Sequence, residues 1–99
     1  MARKTNSKKV TVEVTERDIR RGITADPRSC PIALALKRAT RKKNVAVFNE
    51  DADLRNNDRD WLTEWSAKMP RRATRFVDQF DKGYTVKPIK FNLTFKRVR

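Results

Sequence analysis

The chain has 99 residues and a formal net charge of +13, from 25 Lys and Arg against 12 Asp and Glu. This length allows one domain with a thin core, and the charge predicts a negatively charged partner: nucleic acid, an anionic membrane or an acidic protein face. The lack of histidine excludes Ser-His-Asp and Cys-His triads and zinc sites built from Cys and His, and the single Cys30 excludes an internal disulfide and fits a reducing compartment.

The N-terminal half predicts a basic arm, a strand and two helices. Residues 1–8 predict a flexible arm, and residues 9–15 alternate Val with polar residues, as a half-buried strand does. Thr15 with Asp18 predicts a capping box for a helix over residues 16–21, which Gly22 closes. Pro31 predicts the first turn of a second helix, which ends at Asn44. Its apolar stripe consists of Ile32, Ala35, Leu36 and Ala39, widened by Leu34.

The C-terminal half predicts two or three strands and one helix. Residues 45–48 predict a strand, and the polar residues 49–60 predict a loop or an exposed hairpin tip. Residues 61–65 fit either a strand, with Trp61, Thr63 and Trp65 on one face, or a helical turn. Pro70 and Gly83 bracket a helix whose apolar stripe is Ala73, Phe76, Val77 and Phe80. Residues 88–95 alternate and predict the last strand, followed by a basic tail over residues 96–99.

Strands and helices are mixed along the chain, which favours an α+β fold. We expect a small antiparallel or mixed sheet of three or four strands, with two or three short helices on one face. The domain is expected to span residues 9–95, between the arm and the tail.

Several segments resemble a family of small bacteriophage-encoded proteins of unknown function. They are residues 12–15, residues 18–22, and residues 26–39, which contain Cys-Pro-Ile-Ala-Leu-Ala-Leu-Lys-Arg-Ala. Residues 76–83 read Phe-Val-Asp-Gln-Phe-Asp-Lys-Gly and match the typical ending of the family, together with Pro88 and residues 91–93. The resemblance covers most of residues 10–95. It implies a phage or prophage origin and the cytoplasm of a bacterial host, but no activity.

The strongest functional signal is a set of cationic segments that contain no acid, which is the electrostatic pattern of a nucleic-acid binder. They are residues 1–9, 37–43 and 87–99, and the third predicted helix adds arginines on its outer side. A solvated basic face that promotes solubility is the alternative. The predicted phosphate-binding residues are Arg3, Lys4, Lys8, Lys9, Lys37, Arg38, Arg41, Lys42, Lys43, Arg71, Arg72, Arg75, Lys96, Arg97 and Arg99.

Other candidate groups favour structural roles. Trp61, Trp65 and Tyr84 would suit stacking on single-stranded bases, but core packing is the favoured reading for the tryptophans. Cys30 before Pro31 is interpreted as a buried thiol or a helix cap, since no His can serve as its base. The acidic residues 50–53 lack the spacing and glycine of an EF-hand and predict a solvated loop.

The sequence thus predicts a non-enzymatic phage accessory protein that binds DNA, RNA or a ribonucleoprotein electrostatically. The alternative is an inhibitor that covers an acidic or nucleic-acid-binding face of a host protein, as in counter-defence. We expect no catalytic residue, no metal, no cofactor and no small-molecule substrate. Because no apolar run reaches the roughly 20 residues that a membrane-spanning helix needs, no membrane partner is expected either.

Overall fold

A computed structural model describes residues 7–55 and 63–98. The described residues form five strands and three helices in a mixed order. The strands are β1 (Ser7–Val14), β2 (Val45–Val47), β3 (Asp51–Arg55), β4 (Thr63–Lys68) and β5 (Ile89–Arg97). The helices are α1 (Glu16–Arg21), α2 (Pro31–Thr40) and α3 (Arg71–Asp81). None of these helices is long and apolar enough to span a membrane.

The five strands form one sheet in the order β1-β5-β4-β3-β2, and every neighbouring pair is antiparallel. β5 therefore lies between β1 and β4, and the first and last strands of the chain pair along their length, from Ser7 opposite Lys96 to Val14 opposite Ile89. β1 and β2 are the two edge strands. The fold is α+β, as predicted.

Alternation of side chains along the strands gives the sheet one apolar face and one polar face. Val12 and Val14 in β1 and Phe91, Leu93 and Phe95 in β5 are buried against the helices. The residues between them, such as Thr11 and Thr94, lie on the opposite, exposed face, which we call the open face.

The helices cover the apolar face and complete the core. Cys30 and Pro31 start α2, and Ile32, Ala35 and Leu36 bury its apolar stripe. α3 contributes Ala73, Phe76 and Val77, and the rings of Phe76 and Phe80 stack with centroids 6.4 Å apart. Thr15 and Asp18 form a reciprocal capping box at α1, as predicted. The short helix α1 thus begins at a defined residue directly after β1.

The sheet has one strand more than the upper predicted number. The extra strand is β3, which lies in the polar segment for which we predicted a loop or hairpin tip. Only Ala52 and Leu54 of β3 face the core, while Asp51, Asp53 and Arg55 alternate with them. Because β3 pairs with β2 on one side and β4 on the other, cross-strand contacts hold it despite its polar sequence. Of residues 61–65, those from Thr63 onward belong to β4, and Trp61 and Leu62 lie outside the described residues.

Other element ends also differ from the prediction. α2 ends at Thr40 because Arg41 adopts a left-handed backbone conformation with φ of 60°, which stops the helix before Asn44. Ala39 is exposed rather than part of the buried stripe. β1 begins at Ser7 and β5 continues to Arg97, so cations assigned to the arm and the tail lie in strands.

Candidate functional site

A cationic groove of about 880 Å³ lies between α1 and α2. Basic side chains from both helices and from the residues after α2 line it, together with Ile23, Ser29 and Leu34. These cations are Arg17, Arg21, Lys37, Arg38, Arg41, Lys42 and Lys43. Asp18 is the one acid among the described residues that line the groove, so its walls carry a large excess of positive charge.

The sequence of α2 explains why the cations collect there. Its first half is apolar and buried, whereas Lys37 and Arg38 occupy its last turn, where cations interact favourably with the helix dipole. The left-handed backbone at Arg41 then turns the chain, and Arg41, Lys42 and Lys43 continue the basic surface beyond the helix. The groove is therefore built around the C-terminal end of α2.

An ion pair between Asp18 and Arg38 fixes the position of α1 against α2. Arg38 Nη1 and Nη2 donate to Asp18 Oδ1 and Oδ2 over 2.9 and 2.8 Å, and Nη2 also donates to the carbonyl oxygen of Glu13 over 2.9 Å. Burial raises the pKa of Asp18, but the hydrogen bonds from Arg38 and Thr15 outweigh it, so the pKa lies below its usual value. Asp18 is thus a buried carboxylate that holds α1, α2 and the end of β1 together.

A second cluster of cations lies at the end of the sheet where β1 begins, and we call it the end cluster. It contains Lys8, Lys42 and Arg97 around Glu64 and the ring of Trp65. Lys42 Nζ and Arg97 Nη2 lie 3.5 and 3.6 Å from the carboxylate oxygens of Glu64. Lys8 Nζ lies 4.5 Å and Arg97 Cζ 5.4 Å from the centre of the Trp65 ring.

The end cluster depends on an irregularity between β3 and β4. Leu54 pairs with Trp65 but the next residue, Arg55, pairs with Thr63, so Glu64 is an extra residue in β4. This bulge places the Glu64 carboxylate beside Lys42, which follows α2. Three cations then surround one carboxylate, and the pKa of Lys8 is lowered by partial burial and by the nearby charges of Lys42 and Arg97.

The predicted phosphate-binding residues fall into several groups. Lys37, Arg38, Arg41, Lys42 and Lys43 line the groove, and Lys8 and Arg97 lie with Lys42 in the end cluster. Lys9 and Lys96 lie on the open face of the sheet. Arg71, Arg72 and Arg75 lie apart from these on α3, where Arg72 and Arg75 line a separate cleft with Phe76. Arg3, Lys4 and Arg99 lie outside the described residues.

Arg17 and Arg21 were missed by the sequence reasoning. They are four residues apart in α1 and so lie on one side of that helix, facing the groove. The four-residue spacing of the two arginines was visible within the predicted helix. That they face the groove follows only from the packing of α1 against α2.

The other residues considered from the sequence are two tryptophans, Tyr84, Cys30 and the acidic groups. Trp65 is 8% exposed and belongs to the core, as favoured, whereas Tyr84 is 62% exposed and Trp61 lies outside the described residues. Cys30 is buried, and its Sγ accepts from the backbone N–H of Ala33 as the N-cap of α2. Burial raises the pKa of this thiol, which keeps it protonated. The described residues contain no group of three or more Cys, Asp or Glu side chains placed to hold a metal.

No protein-family model, curated protein sequence or solved structure matches this chain. The phage origin and the cytoplasmic location implied by the resemblance therefore stay predictions.

Proposed function

We propose that this protein binds nucleic acid through its phosphate groups, as a small accessory protein of the phage type that the resemblance implies. The observation that supports this is the convergence of seven cationic side chains on one groove. Its one described acid, Asp18, is already paired with Arg38. A groove with this charge attracts a polyanion and releases the counterions condensed on it, which favours binding.

Different groove cations have different roles in this proposal. Arg38 is committed to Asp18 and Glu13, so it positions α1 rather than holding phosphate. Arg17, Lys37 and Lys43 are the side chains that we expect to contact phosphate. Arginine gives two parallel hydrogen bonds to a phosphate and lysine acts as a point charge, so the groove offers both kinds of contact.

The test replaces these three cations with neutral residues of similar size. We expect the variant R17Q/K37Q/K43Q to bind mixed-sequence DNA and RNA more weakly than the wild type. The plot of log affinity against log salt should become shallower by about 2–3, since each lost phosphate contact removes roughly 0.7–0.9 from the slope. Fluorescence anisotropy titrations at several NaCl concentrations measure this.

The matched control is R20Q/K82Q/K87Q, which removes the same charge from exposed positions outside the groove. We expect its slope to change by less than about 1, the value of a single contact. Equal losses in both variants would show that bulk charge, not the groove, drives binding. Affinity that does not depend on salt would contradict the proposal, and stoichiometric capture of one acidic host protein instead would favour the inhibitor.

A further inference from the structure

The groove and the open face of the sheet are on opposite sides of the molecule, and cations connect them around one end. Lys8 and Lys9 are consecutive in β1, and Lys96 and Arg97 are consecutive in β5. Because successive residues of a strand point to opposite faces, each pair puts one cation on the helix side and one on the open face. The Trp65 ring contacts Lys8 and Arg97 and so marks the helix side.

The pairing register brings these cations together at one end of the sheet. Ser7 is opposite Lys96, and Lys9 is opposite Thr94, so Lys9 and Lys96 are near neighbours on the open face. Lys42 belongs both to the groove and to the end cluster. Positive charge therefore continues from the groove, through Lys42, Lys8 and Arg97, to Lys9 and Lys96.

A second, smaller groove continues from Lys96 across the open face. It has a volume of about 530 Å³, and its polar lining consists of Ser66, Lys68, Asn92, Thr94 and Lys96. Its two lysines suit phosphates, while its hydroxyl and amide groups suit the hydrogen-bonding edges of bases or sugars. Two acids of β3 lie beside this groove: Asp51 pairs with Lys68 in the register, and Asp53 Oδ1 accepts from the hydroxyl of Ser66 over 2.8 Å.

We infer that the preferred ligand is single-stranded nucleic acid, which runs from the groove around the end cluster onto the open face. This inference rests on the proposed function. The shortest dimension of the molecule is 20 Å, so a ligand that contacts both faces has to reverse direction over a comparable length. Duplex DNA has a persistence length of about 50 nm and cannot bend this sharply without a large cost, whereas a single strand can.

Charge alone would favour duplex over single-stranded nucleic acid. A duplex has the denser charge and the larger counterion release per contact, so a purely electrostatic surface binds duplex more tightly than single strand. A preference for the single strand therefore requires a shape that only a flexible chain can follow.

The experiment compares the full-length protein with K9Q/K96Q on two probes. One is mixed-sequence single-stranded DNA of about 20 nucleotides, longer than the roughly 4–16 nucleotides that single-strand-binding folds cover. The other is the same sequence as a duplex. We expect the wild type to bind the single strand more tightly, and K9Q/K96Q to reduce the single-strand salt slope by about 1.4, or roughly 0.7 per contact, without changing the duplex slope.

K82Q/K87Q is the control with the same loss of charge, because both lysines are exposed and lie outside the groove and the end cluster, and we expect it to leave the single-strand slope nearly unchanged. Lys9 and Lys96 are exposed, so the substitutions should not alter folding, which far-ultraviolet circular dichroism checks. Equal or tighter duplex binding would overturn this inference and leave the proposed function standing, as would a K9Q/K96Q effect of equal size on both probes. If the protein bound neither of these probes nor single-stranded RNA of the same sequence, both this inference and the proposed function would be wrong.

Discussion

Asp18 is the residue on which the arrangement of α1, α2 and β1 depends. It caps α1 through the backbone N–H of Thr15 and accepts two hydrogen bonds from Arg38. We expect D18N, which keeps the shape and removes the charge, to lower the free energy of unfolding by about 1.5–3 kcal/mol at pH 7, the range for hydrogen bonds to charged groups. Urea unfolding measures this.

The same substitution tests the pH dependence of stability. The pKa of Asp18 in the folded protein lies below its ordinary value of 3.8, so the folded state binds this proton more weakly than the unfolded chain. The carboxylate therefore stabilises the fold above about pH 4, and that stabilisation is lost as the pH falls through the folded pKa. The difference between wild type and D18N should shrink in acid.

D78N is the matched control, because Asp78 forms an exposed ion pair with Lys82 one helical turn away. Such pairs contribute about 0.3–0.5 kcal/mol, so D78N should change stability little at either pH. If D18N proved no more destabilising than D78N, the role given to Asp18 would be wrong.

Cys30 gives a second test at the level of one residue. Because burial raises its pKa and the folded chain covers its sulfur, we expect iodoacetamide at pH 8 to modify the folded protein at least about tenfold more slowly than the urea-unfolded chain. Mass spectrometry follows the reaction without ambiguity, since the chain has no other cysteine. Equal rates in both states would contradict the buried position of the thiol.

Among the elements, Gly22 at the end of α1 lies in close contact with Pro31 at the start of α2. A Cβ atom on Gly22 would lie 2.5 Å from Cδ and Cγ of Pro31 and 2.7 Å from its backbone nitrogen. The residue is glycine for lack of space and not for its backbone conformation, since its φ is −67°. We expect G22A to lower the free energy of unfolding by about 1–3 kcal/mol, as overpacking does.

Gly83 is the informative comparison, because a Cβ there meets open space and its φ is +84°. G83A should cost about 1 kcal/mol through backbone conformation alone. Only G22A should also weaken nucleic-acid binding, because it disturbs the wall of the groove. If G22A had the unfolding free energy and the nucleic-acid affinity of the wild type, the close contact between α1 and α2 at this residue would not matter.

Local signals decided which elements the sequence could predict. The capping box of α1, Pro31 at the start of α2 and the alternation in β5 each act within a few residues, and the structure has these elements. β3 carries only Ala52 and Leu54 as inward-facing residues and is held by β2 and β4. Strands of that kind cannot be predicted from their own sequence, because the stabilising contacts come from elsewhere in the chain.

Over the described part of the molecule, the cationic side chains that give the chain its high net charge are unevenly distributed. The cations of α2 were identifiable as a basic segment, but the contribution of Arg17 and Arg21 depends on the packing of α1, which Asp18 and Arg38 fix. The end cluster also could not be predicted from the sequence, because it depends on the β1–β5 register and on the bulge at Glu64. The arginines of α3 lie apart from both.

The position of β5 in the sheet also affects how the chain folds. β5 emerges from the ribosome after the other four described strands, yet it lies between β1 and β4 in the sheet. Until it emerges, β1 has no neighbouring strand, and α2 can pack on only part of its final surface. We expect folding to be slow for the size of the domain, since the pairing of β1 with β5 joins segments that are far apart in the sequence.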